Sequence, residues 1–146
     1  MLFFVTVLAY FLANAFAEDS EPLPEYAVGA TKTAHLLFHD RMEKGWRDDL
    51  SEKALQYLKS PDSVKADLIT TDKQAFKKTD PKPLWYKVFT MVSNLLDQKK
   101  EEVLPPILYG CNGMITKGEA ENVLSVACPI TELLNKLFEE FELEAP

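Results

Sequence analysis

Residues 80–103 constrain the fold of this chain more than any other stretch. Asp80-Pro81 reads as a helix start, with aspartate as N-cap and proline at the first helical position, where its missing N–H costs nothing. At about 100° per residue, Leu84, Val88, Met91, Val92 and Leu95 fall on one side. Trp85, Phe89 and Leu96 widen the stripe to roughly 160°, beyond the ~100° that a helix lying on a surface needs. Lys87, Thr90, Asn94 and Asp97 occupy the narrow remainder. A helix this apolar has to be covered by more than one neighbour. It ends by Leu104, because Pro105-Pro106 cannot continue it.

Its neighbours also read as helical. A first helix is expected from Pro24 to Lys44, with Ala27, Ala30, Ala34, Leu37, Phe38 and Met42 on its inner face and Gly45 as its stop. A second spans Asp48–Lys59, its start stapled by Trp46. Ser60-Pro61-Asp62 predicts a third, short helix running to Thr70. Pro106 begins another short one, through Cys111 to the stop at Asn112-Gly113. Thr116-Lys117-Gly118-Glu119 reads as a capping box ahead of a helix carrying Ala120, Val123, Leu124 and Ala127. In the last helix Ile130, Leu133, Leu134, Leu137, Phe138 and Phe141 share a face, and glutamates crowd its end. No stretch alternates strongly enough to predict a strand. The expected fold is all-α: a compact bundle of five to seven short helices with one disulfide.

The chain has 146 residues, enough for one domain. Residues 1–17 carry no charged side chain, end in Ala15-Phe16-Ala17 and turn polar at Glu18, the pattern of a cleaved secretory signal. The expected organisation is a signal peptide at 1–17, a flexible mature N-terminus at 18–24 and one helical domain at 25–146. No other stretch is apolar enough to span a membrane, so no stable insertion is expected after signal removal. Secretion to an oxidising compartment predicts that the two cysteines, Cys111 and Cys128, pair. The net charge of −7 repels phosphate backbones and argues against nucleic acid as a partner.

Chemistry is sparse. The two histidines, His35 and His39, sit one turn apart as metal ligands would, but a zinc-protease helix needs glutamate after the first histidine, where Leu36 stands. No G-x-S-x-G elbow, phosphate loop or dinucleotide fingerprint occurs, so no enzyme, metal or cofactor is expected. Two functions compete. The first is a carrier of a small apolar, lipid-like ligand in the core, lined by Trp85, Phe89, Val92, Phe138 and Phe141. The second is a secreted helical effector, like a hormone, a venom component or a parasite secretion, acting through its surface on a host or receptor protein. The width of the central helix favours the carrier.

Overall fold

A computed structural model describes residues 19–38, 45–66, 68–99 and 107–132. The signal at 1–17 and most of the last expected helix, including Phe138 and Phe141, lie outside the described residues. The order is β1 (Ser20–Pro22), α1 (Glu25–Phe38), α2 (Asp48–Lys59), a 3-10 turn (Pro61–Ser63), β2 (Leu68–Lys77), α3 (Leu84–Lys99), β3 (Ile107–Tyr109), β4 (Asn112–Lys117) and β5 (Glu121–Glu132). The described residues therefore form three helices and a five-stranded antiparallel sheet, and the all-α bundle is overturned.

The sheet runs β1-β4-β5-β2, with β3 also on β5, in line with β4. Strands β3 and β4 meet β5 in one register, Tyr109 opposite Ile130 and Asn112 opposite Ala127. They are two halves of one strand, and Pro129 explains the break. In an antiparallel ladder a residue's N–H and C=O face the same neighbour. The Pro129 carbonyl accepts from Gly110 N–H at 3.3 Å. The return bond would need an N–H that proline lacks. The same register sets Cys111 against Cys128, with Cα atoms 4.2 Å apart, and the two are disulfide-bonded. That spacing belongs to the close, non-hydrogen-bonded pairs of a ladder, about 4.5 Å.

Cross-strand partners share a face, so Tyr109, Cys111 and Ile115 stand with Leu124, Val126, Cys128 and Ile130. Against them lie Val88, Met91, Val92, Leu95 and Leu96 of α3, with Ala27 of α1 and Leu23 completing the core. Helix α3 is thus covered on its buried side by α1, as expected, and by the sheet where the last helix was expected. Helix α2 covers part of the opposite face, where Leu50, Ala54, Leu108, Ala127 and Pro129 are buried. Ser51 Oγ donates to the Cys111 carbonyl at 2.8 Å and accepts from Asn112 Nδ2 at 3.4 Å. The outer strand β2 is blunted by Asp72, whose Oδ1 accepts the Lys73 N–H at 2.8 Å.

The corrections have physical causes. Thr116 and Lys117 end β4, and Gly118 N–H donates to the Glu121 carbonyl, so the expected capping box is a hairpin connection. Val123, Leu124 and Ala127 satisfy a helical spacing by coincidence. Both faces of β5 are covered over much of its length, so its apolar residues do not alternate with polar ones. Ser60-Pro61 does start a turn, but only Pro61–Ser63 is helical before β2 takes Leu68–Lys77. The short helix expected from Pro106 is β3, and Ile130 lies in β5 rather than opening a final helix. Asp80 does not cap α3. Its Oδ1 accepts the Lys82 N–H at 2.9 Å in the preceding turn, and the helix begins at Leu84. Helix α2 matches its expected bounds.

Gly110 sits where α2 crosses the ladder. A β-carbon there would collide with the backbone Ser51 N and Arg47 O, whereas one at Gly29, in exposed helix, would meet nothing within 4 Å. Gly110→Ala is therefore expected to cost about 2 kcal/mol or more, and Gly29→Ala to add about 0.5–1 kcal/mol. Urea unfolding of the two variants checks both signs.

Candidate functional site

The turn from β2 into α3 builds an exposed aromatic corner. Asp80 N–H donates to the Lys77 carbonyl at 3.0 Å, closing the turn. The bond from Lys82 N–H, together with the Lys87 and Lys82 charges, holds the Asp80 carboxyl below the usual carboxylate range. Lys87 Nζ lies 3.6 Å from Asp80 Oδ2 and 5.0 Å from the centre of the Phe76 ring. Pro83 offers its carbonyl to Tyr86 N–H at 3.1 Å and Lys87 N–H at 3.3 Å, which begins the helix.

Trp85 and Tyr86 follow in the first turn of α3. Their rings meet edge to face, with centroids 5.8 Å apart and planes at 86°. Lys82 Nζ stands 5.8 Å from the Tyr86 ring. Trp85 is 47% exposed and Tyr86 41%. Amphipathic rings held rigidly in water cost little to desolvate and little entropy to fix, which suits them to protein contacts.

Of the five residues expected to line a ligand cavity, three fall among the described residues, and their surroundings differ. Val92 is fully buried in the core, Phe89 is half-buried at its margin, and Trp85 faces solvent. Phe138 and Phe141 lie outside the described residues, as do His39 and the ring of His35. Two of the pockets among described residues, of about 180 and 300 Å³, are lined by other side chains. A second aromatic corner was invisible as such in the sequence. Trp46 and Tyr109 meet edge to face at 5.5 Å, Trp46 Nε1 donates to Asp48 Oδ1 at 2.7 Å, and Lys32 Nζ lies 5.9 Å from the Trp46 ring. The parallel bridge between Trp46 and Tyr109 makes this pair, and only the folded chain brings residues so far apart in sequence to that bridge.

A model of the 15 kDa excretory/secretory protein family matches residues 32–132. The chain belongs to that family. The match begins within α1, ends with β5 and takes in both aromatic corners. No curated protein and no solved structure gives a significant match. As a member of this family the chain is secreted and extracellular, in keeping with its disulfide. Among the described residues no helix is long and apolar enough to cross a membrane.

The buried and exposed sides of the apolar stripe on α3 should separate by mutation. Met91→Ala, in the core, is expected to cost about 3 kcal/mol, and Trp85→Ala less than about 1 kcal/mol. Urea unfolding measures both. Alkali supplies a second check. Burial pushes the Tyr109 phenol above the ordinary tyrosine value. The fold therefore holds the neutral form, and stability is complete below the unfolded-state value of about 10 and falls as pH rises past it. Tyr109→Phe should blunt that fall in a pH series of thermal unfolding.

Proposed function

We propose that this secreted protein acts by direct surface contact with another protein, in the manner of a parasite secretion meeting a host protein, through the Trp85–Tyr86 corner. What supports this reading is one observation: two large aromatic side chains, 47% and 41% exposed, fixed against each other at the first turn of α3. The core side of the same helix is filled by Val88, Met91 and Val92, none more than 1% exposed. Aromatic anchors beside a cation are the composition of interface centres. Catalysis plays no part in this reading.

The carrier reading differs in what it expects of a lipid probe. Titration of the full-length secreted protein with a fluorescent long-chain fatty acid should give no saturable signal, and stoichiometric saturation would overturn the surface reading in favour of the carrier. The contact itself is tested with Trp85→Ala/Tyr86→Ala. Proteins retained from extracellular fluid by the wild type should be lost by about tenfold or more in the variant, at unchanged melting temperature. Equal retention by both would remove the corner from the reading.

A further inference from the structure

Beneath the aromatic corner, where β2 and β4 end and β5 and α3 begin, lies a cavity of about 180 Å³. Two cross-strand pairs, Phe76 with Asn122 and Ile115 with Leu124, form its sheet side, and Leu84 faces them from α3. Four of these five side chains are apolar. The fifth carries an anomaly, for Asn122 Oδ1 is buried without a hydrogen-bond partner. Buried polar atoms are nearly always satisfied, so an unpartnered amide oxygen on a lining residue leaves that side chain with hydrogen-bonding capacity to spare. Rotation of the amide presents either its oxygen or its NH2 for such a bond.

The rim is cationic in a protein of net charge −7. Lys77, Lys78 and Lys87 contribute to the lining. Lys77 stands opposite Glu121 in the ladder and Lys87 Nζ lies 3.6 Å from Asp80 Oδ2, so each of these two cations has an acidic neighbour. The Lys87 side chain is only 12% exposed, its stem buried against the wall and its ammonium group near Asp80 and above Phe76. A second lysine, Lys82, also acts on Asp80, so that one carboxylate is shared between two cations.

We propose that this cavity binds a small amphiphilic carboxylate, its short apolar chain against Phe76, Leu84, Ile115 and Leu124 and its head group between Lys87 and the Asn122 amide. The apolar walls give a bare inorganic anion nothing to fill them, and an uncharged alkane nothing for Asn122 or Lys87. The volume is below the roughly 300–1,000 Å³ of ordinary ligand sites, which limits the occupant to a chain of a few carbons. Trp85 and Tyr86 do not line the cavity, so this site stands or falls apart from the surface contact.

The test is an NMR titration of the full-length secreted protein with hexanoate, hexanol and inorganic phosphate, following the backbone amides of Leu84 and Leu124 and the Asn122 side-chain NH2. Hexanoate should saturate with a millimolar or tighter constant, and hexanol should bind about tenfold more weakly for want of the charge-assisted bond. Lys87→Gln should weaken hexanoate by about tenfold, and Lys87→Arg should restore most of the loss. The amide spectrum of each free variant reports whether it is folded. Four results would overturn the proposal: no saturation by about 10 mM hexanoate, equal affinity for hexanol, phosphate shifting the same amides as strongly, or Lys87→Gln leaving the constant unchanged in a folded protein.

Discussion

The structure depends on the pairing of β5. This one strand meets β2 on one side and β3 and β4 on the other, and only β1 hangs from a different partner. Its even-numbered residues, Leu124, Val126, Cys128 and Ile130, supply the sheet side of the main core, while Ala127 and Pro129 are buried on the face that α2 partly covers. A slip of one residue would exchange these sets and drive both faces out of register with their helices. The disulfide locks that choice. Cys111 and Cys128 are directly opposite, so the covalent link is available in one register and lost on a slip by one.

Pro129 shows how the same strand tolerates a residue that central strands normally exclude. Its missing donor falls on the β3–β4 side, where the chain passes through Gly110 without completing the ladder. The gap is then used. Gly110, lacking a side chain, lets the α2 backbone approach, and Ser51 from that helix satisfies the Cys111 carbonyl that the ladder leaves over. Thr31 of α1 approaches the same carbonyl from 3.5 Å. One carbonyl therefore joins the two helices to the sheet at the point where the strand is broken.

Helix α3 carries a wider apolar stripe than its neighbours cover. Val88, Met91 and Val92 meet α1 and the sheet, while the flank that begins at Trp85 and Tyr86 stays in solvent among the described residues. That surplus is what separates a core helix from a contact surface. The turn before it, tightened by Asp80 and stiffened by Pro81 and Pro83, sets Lys82 beside the exposed Tyr86 ring and Asp80 against Lys87, which lines the small cavity.

Much of this was legible in the residues. Secretion, the pairing of two cysteines, the bounds of α2 and the core face of α3 follow from local chemistry: charge, redox compartment and a 3.6-residue period. The family places the protein outside the cell, as expected. The sheet could not be read, because covering a strand on two faces erases the alternation that identifies one, and Val123, Leu124 and Ala127 then satisfy a helical period equally well. Nor could the site. Asn122 gains meaning only from Phe76, forty-six residues earlier in the chain and directly across the ladder, and Trp46 only from Tyr109. Sequence by itself determined which segments are apolar and where the chain is sent, since those properties belong to single residues and their near neighbours. Tertiary structure alone decided which of the apolar surfaces meet each other and which are left to water, because burial is a property of pairs brought together by register over long separations.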